Sequence, residues 1–370
     1  MDALKSPDVL ERLGRLSAEP IGLAPAPMAT FLKEKAGRWQ RAIRTAGVKP
    51  GRAMKTVLGL ILALFAFTAQ GQEWPAKAVR IIVPFPAGGS ADLMPRAVAE
   101  KLSEKWGQPV IVENRPGAAG NIGADLVYRA EPDGYTLLSA PPPPLVINKL
   151  LYKKLPYDAE KFVPISVIGA IPNVLLVHPK TNVSTVQEFI ALAKANPGKL
   201  NYASQGNGTT SHLTAELFKS MAGGLQITHV PYKGTAPALA DLLGGQVEMM
   251  CDNLGVSLPH VRAGKLKALA VASAKRFPGL PDVPALAESL PGFEAVAWFG
   301  IVAPPGTPAS VAQKVSAGVA EALKQPDVQK RLSDLSAEPM GLTPAQTADY
   351  MKRETERWAS VIRTAGVRLD

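Results

Sequence analysis

The chain has 370 residues, with 41 Lys and Arg against 31 Asp and Glu, a formal charge of +10 and 46% apolar side chains. The first 71 residues hold 11 of the cations against 5 acids, so the remainder carries only +4, too little for the clustered basic face that nucleic acid demands. Cys251 is the only cysteine, which excludes an intrachain disulfide, and His178, His212, His229 and His260 lack metal-ligand spacing; neither a metal nor a cofactor is expected.

The chain opens on a copy of its own end. Residues 3–48 align without gaps on residues 322–367 and match at 27 of 46 positions, with LSAEP (16–20 and 335–339) and IRTAGV (43–48 and 362–367) identical. A solenoid would continue such a repeat through the chain, and this one stops. Residues 1–53 are therefore read as the duplicated tail of a neighbouring paralogue, or a product of start-site choice, with no function of their own. The copied face Leu32, Ala36, Trp39 and Ile43 corresponds to Met351, Thr355, Trp358 and Ile362 in the tail. The copy has Ala24 for the capping Thr343 and Gly37 for Glu356, changes costing about 1 kcal/mol each. The true tail is expected to hold the docking groove.

Met54 and Lys55 then open an apolar run, 57–69, that exits through Ala69-Gln70-Gly71. A cationic start, an apolar centre and a small-residue exit are the parts of a secretory signal, and the run is shorter than the roughly 20 residues of a membrane span. Residues 54–71 are expected to be a signal peptide cleaved after Gly71, leaving residues 72–370. That length exceeds one ordinary hydrophobic core, so two lobes are expected: 72–171 with 292–370, and 172–291.

From residue 77 onward strand-like and helix-like segments alternate, which argues for α/β layers. Strands are expected at 79–83, 109–112, 135–139, 174–177, 199–203, 228–231, 247–251, 268–272 and 295–302, with helices at 92–104 and 186–195. Two crossings between lobes make a cleft, where small ligands bind.

The first loop, Pro86-Ala87-Gly88-Gly89, delivers a bare backbone to a helix start, where free N–H groups and the helix dipole favour an anion without arginine. Asp92 reads equally as a helix-start carboxylate or as a water-mediated ligand contact. A second cradle is expected at 204–211, where Gly206 and Gly208 precede the hydroxyls of Thr209, Thr210 and Ser211. A hydrolase elbow fails there because Tyr202, not glycine, stands two before Ser204; a dinucleotide loop fails for want of a third glycine. The glycines of ENRPGAAGNIGA (113–124) read mainly as tight packing, Asp252 as a ligand contact or a turn residue, and Trp298 and Phe299 as core or cleft wall.

These loops carry a resemblance. VPFPAGGSAD (83–92), VENRPGAAGNIGA (112–124), PDGYTLL (132–138), NYASQGNGTTSHL (201–213), VPYKGTAPAL (230–239), LLGGQVEMMCDN (242–253), LKALAVASAKR (266–276) and LPDVPAL (280–286) together resemble the Bug-type periplasmic solute receptors of tripartite tricarboxylate transport systems, in order and over residues 78–370. The resemblance implies a two-lobed periplasmic-binding-protein fold, type II-like, that closes on a small carboxylate in the periplasm without catalysis. It further implies monomers that serve integral membrane transporter subunits or a sensor. Ligand contacts are then expected from Phe85, Pro86, Ala87, Gly88, Gly89, Asp92, Ser139, Ser204, Gly206, Gly208, Thr209, Thr210, Ser211 and Asp252. The sequence departs from the family at Pro141 to Pro144, where small hydroxyl residues are usual; four prolines remove hydroxyls and N–H donors, which shifts specificity toward a more apolar ligand or impairs the site. The competing reading is an α/β hydrolase or lyase using Asp92 or Asp252, and against it stands the lack of a nucleophile, base and orienter set.

Overall fold

The structure, a computed structural model, describes residues 25–46 and 74–369, so the expected signal at 54–71 lies outside the described residues. Contacts divide the chain into two units, Met1–Gly71 and Gln72–Asp370. In the first, the described residues form helix α1 (Pro25–Thr45), whose Trp39 is 69% exposed.

In the second unit the strands are β1 (Val79–Val83), β2 (Val110–Asn114), β3 (Thr136–Ala140), β4 (Val163–Val177), β5 (Leu200–Ser204), β6 (Ile227–Pro231), β7 (Met249–Asn253), β8 (Lys267–Val271), β9 (Val296–Ala303) and β10 (Glu338–Pro339). The α-helices longer than four residues are α2 (Ser90–Trp106), α3 (Asn121–Tyr128), α4 (Val186–Ala195), α5 (Thr210–Met221), α6 (Thr235–Leu243), α7 (Leu254–Arg262), α8 (Ala309–Ala322), α9 (Pro326–Asp334) and α10 (Pro344–Ala365). The sheet runs β2-β1-β3-β9-β4-β7-β5-β6, with β8 and β10 also paired to β4. β1 is parallel to β2 and β3, and β5 to β6 and β7. Parallel neighbours need crossovers, which α2, α3, α5 and α6 supply.

The two lobes share one strand. β4 pairs antiparallel with β9 as far as Pro172, then from Asn173 with β7 and β8. The chain returns where Ala295 N–H donates to Ala272 O at 2.8 Å and Val296 pairs with Pro172. Sequence reading expects only 174–177, the last four residues of β4; the strand runs from Val163 through Pro164 and Pro172, with register shifts at Pro164/Ser166 and Val167/Gly169.

Side chains alternate across this sheet into two cores that run through both lobes. Ile82, Leu138, Trp298, Tyr202 and Cys251 lie in one, and Ile81, Leu137, Phe299, Ala203 and Met250 in the other. Helices on both faces make an α/β sandwich around a mixed sheet, parallel within β2-β1-β3 and β7-β5-β6 and antiparallel along β4 and β9. α10 is capped as its sequence suggests, with Thr343 and Gln346 in a capping box and Gly366 left-handed at φ 65°. Its Met351, Trp358 and Ile362 are buried. The helix touches both β4 and α5, and Ser220 Oγ donates to Thr364 O at 2.6 Å.

Candidate functional site

Where the lobes meet, the starts of four helices surround one chamber. Its lining includes Gly89, Ser90 and Ala91 at the start of α2, Thr209 and Thr210 at α5, Gly234 to Pro237 at α6, and Asn253 before α7. The first turn of a helix leaves N–H groups without an intrahelical acceptor and carries partial positive charge. Gly89, Gly234 and Asn253 provide no side-chain cap; at α2, Asp92 N turns back to Gly89 O at 2.9 Å. At α5, Thr209 Oγ1 accepts only from His212 N, at 3.3 Å. Among the described residues, no Asp or Glu lines the chamber. The remaining wall is apolar: Phe85, Pro86, Pro141, Pro143 and Phe299.

The lobes are in contact here. A Cβ on Gly89 would lie 3.5 Å from Thr235 Oγ1, and one on Gly234 3.1 Å from Pro86 Cγ. The chamber measures ≈ 40 Å³, below the roughly 300–1,000 Å³ of ligand pockets. Sharing Phe85, Pro86, Gln205, Thr209, Lys233 and Gly234 with it is a vestibule of ≈ 690 Å³, reaching Tyr152, Tyr232 and the Gly117 to Gly120 loop.

Of the residues expected to touch ligand, Phe85, Pro86, Ala87, Gly89, Thr209 and Thr210 line the chamber and Gly206 the vestibule. The others do not reach either space, for identifiable reasons. Gly88 is the left-handed hinge of the first loop at φ +90°. Asp92 holds that hinge: its carboxylate accepts from Gly88 N at 3.0 Å, Arg96 Nε at 2.8 Å and Asn114 Nδ2 at 2.9 Å. Burial pushes its pKa up, but bonds from Arg96, Gly88 and Asn114 outweigh this and leave it below the usual carboxylate value. Of its two sequence readings, the structural one describes these contacts.

Ser139 is buried in β3 opposite Ile301 of β9, its Oγ without a hydrogen-bond partner among the described residues. Ser204 is fully buried, with its Oγ 2.6 Å from His229 Nε2 and accepting from Gly206 N at 3.1 Å. Gly208 sits at φ +74° against Leu151 and Leu369, its N–H on His212 Nδ1 at 3.1 Å. Ser211 Oγ donates to Cys251 O inside the lobe. Asp252 accepts from Gln205 Nε2 at 2.7 Å and Ser257 Oγ at 2.8 Å, and full burial pushes its pKa up to about 6. It therefore orients Gln205, which does line the chamber.

The Ser204–His229 pair sits against a stack of rings: His229 lies 4.2 Å from His212 and 4.7 Å from Tyr202, and among the described residues no carboxylate bonds its ring. Burial, then His212 and Lys219, lower its pKa to about 3.

Sequence reasoning missed Ser90, Gln205, Asn253 and the start of α6. The signal for α6 was present, since Gly234 precedes Thr235-Ala236-Pro237, a glycine entrance followed by an early-turn proline. Trp298 proves to be core, its Nε1 donating to Glu354 Oε2 at 2.8 Å, whereas Phe299 on the opposite face walls the chamber. In the 113–124 loop, a Cβ on Gly123 would fall 2.8 Å from Pro84 Cβ, the close packing expected.

Residues 94–367 match the family described as the tripartite tricarboxylate transporter family receptor. The chain belongs to this family. BugT of Bordetella pertussis is 39% identical over 318 residues, covering 85% of this chain and 97% of BugT. Among solved structures, R. palustris Rpa4515 with adipate is similar at a TM-score of 0.77 and 39% identity, over 80% of this chain and 99% of that one. The periplasmic binding protein BugD follows at 0.75 and 36%, over 80% and 99%. The Bug-type resemblance and the two-lobed fold are both shown. The family is one of solute receptors.

Proposed function

We propose that the chain is a periplasmic receptor that closes its lobes on a small organic carboxylate and presents it to a membrane transporter or sensor. The observation that carries this reading is the convergence of four helix starts, from both lobes, on one chamber with no acidic lining. Oriented N–H groups and dipoles bind an anion without a dedicated arginine, and they do so only when the lobes are together. Pro141 and Pro143 in the wall offer no N–H, which favours a ligand with an apolar body over one with many hydroxyls. The likeness to Rpa4515, which holds adipate, supports a carboxylate ligand. Export from a signal at 54–71 and a monomeric receptor complete the proposal. Its test is small-angle scattering with thermal melting across a panel of organic acids. A binding acid lowers the radius of gyration and raises Tm through mass action, without turnover; a bound acid that leaves the scattering curve unchanged refutes closure.

A further inference from the structure

On the receptor reading just given, we propose that Asp252 ties solute binding to proton uptake. When an anionic solute enters the chamber, the Asp252 carboxylate takes one proton from solvent, and the Gln205 amide turns so that its N–H groups face the solute.

Asp252 is a buried acid without a counter-charge. It is 0% exposed near the end of β7, and accepts from Gln205 Nε2 at 2.7 Å, Ser257 Oγ at 2.8 Å and the backbone of Asn253. A carboxylate so placed either has a cation beside it or gives up its charge. The elements packed on β7 supply no cation. β4 carries no ionisable residue, and Tyr202 of β5, His212, Glu216 and Lys219 of α5, Asp241 of α6 and His260 and Arg262 of α7 make no ion pair or hydrogen bond with Asp252. Its neighbour Cys251 is a neutral thiol, pushed up by full burial. Among the described residues lining the chamber Lys233 is the charged one, and it too makes no bond to Asp252.

Gln205 stands between this acid and the chamber, which it lines. An ionised carboxylate only accepts, so it holds the amide with Nε2 toward Asp252 Oδ1; the same nitrogen comes within 3.5 Å of Asn253 Oδ1. Asn253 is locked in turn. Its Nδ2 donates to Asn173 Oδ1 at 2.9 Å, Asn173 Nδ2 to Thr214 Oγ1 at 2.8 Å, and Thr214 Oγ1 to Thr210 O at 2.6 Å. With Asp252 ionised, the Gln205 N–H groups are thus spent on the protein and its carbonyl oxygen is left for the solute, which repels an anion. A protonated Asp252 has a donor of its own: its O–H bonds the Gln205 carbonyl and frees the N–H groups for the chamber. The solute's charge raises the affinity of Asp252 for the proton, and the proton raises the affinity for the solute by the same factor.

The sign follows from the free receptor, in which burial pushes the Asp252 pKa up to about 6. Below that pH the proton is already present and Kd is flat; above it the bound state holds the proton more firmly, so Kd rises with pH, by at most about tenfold per pH unit. The experiment is titration calorimetry on the whole receptor with succinate, adipate and malate between about pH 6.5 and 8.5, above the titration of the acids themselves. Repeating it in buffers of different ionisation enthalpy counts the protons taken up. About half a proton or more at pH 7, and a Kd that rises about tenfold across the range, are expected. Asp252→Asn has no proton to take up, and its amide meets the Gln205 carbonyl as the protonated acid does. It is expected to bind at pH 8.5 as tightly as the unaltered receptor at pH 6.5, a gain that loss of a merely structural side chain does not produce. Gln205→Met is expected to weaken binding by about tenfold at pH 6.5. Melting curves confirm that each variant is folded; if Asp252→Asn is not, the buffer series on the unaltered receptor decides alone. Binding without proton uptake, or uptake that persists in folded Asp252→Asn, overturns the proposal while leaving the receptor reading standing. If none of the three acids binds the folded receptor, both fall.

Discussion

Gly89 separates steric closure from backbone strain. Its φ of −90° and ψ of 171° are open to any residue, so replacing it does not strain the loop. Across the cleft, an added Cβ would meet Thr235 Oγ1 at 3.5 Å and Thr235 Cβ at 4.0 Å, ordinary contact that alanine tolerates. The two further methyl groups of Gly89→Val occupy the space Thr235 holds, and overpacking of this kind costs about 1–3 kcal/mol. That cost falls on the closed state, so Kd rises by roughly 5- to 150-fold while the parted lobes fold normally. Gly88→Ala behaves in the opposite way. Nothing lies within 4 Å of its added Cβ, but φ is +90°, and the left-handed strain of about 1–2 kcal/mol lowers stability of the fold itself. Calorimetry with a binding acid, together with a melting curve for each variant, distinguishes the two. Unchanged affinity in folded Gly89→Val, or equal damage from Gly89→Ala, refutes the reasoning.

Asp252 makes stability depend on pH in a direction opposite to most carboxylates. Its pKa is about 6 in the fold against 3.8 for a free side chain, so between those values the folded state binds the extra proton. Stability therefore falls as pH rises through that window, by at most about 3 kcal/mol. Asp252→Asn is expected to flatten this part of the curve of Tm against pH and to raise Tm at neutral pH; an unchanged slope speaks against a buried, titrating Asp252. Trp358 is fully buried and Trp39 is 69% exposed. Urea denaturation is thus expected to show a loss of about 3–5 kcal/mol for Trp358→Ala and almost none for Trp39→Ala, and equal losses would contradict the reading of residues 1–53 as a tail copy without a function of its own. Removing residues 1–53 is expected to leave secretion and affinity intact, whereas a peptide spanning residues 45–52 recovered from the exported protein would show that the copy travels with it.

Much of the fold was legible because local rules and tertiary structure agree. β1 and α4 fall at 79–83 and 186–195, where β-branched runs and helical spacing put them, and Thr343 and Gly366 bracket α10 as capping chemistry requires. β4 was not legible beyond its last residues, since its length comes from pairing with β9, distant in sequence, across register shifts within β4 itself. The site divides along the same line. Gly89 and part of the 204–211 loop line the chamber where the sequence expected a cradle, because glycine and helix-start hydroxyls act through local geometry. Whether a given polar side chain serves the ligand or the loop depends on which partner reaches it first. Arg96, Gly88 N and Asn114 enclose Asp92, Cys251 O engages Ser211, and His229 engages Ser204, while Ser90 is left without a partner. Those partners come from residues distant in sequence, so the sequence by itself determined the loops, and only the packing of both lobes decided which of their side chains remain free to bind.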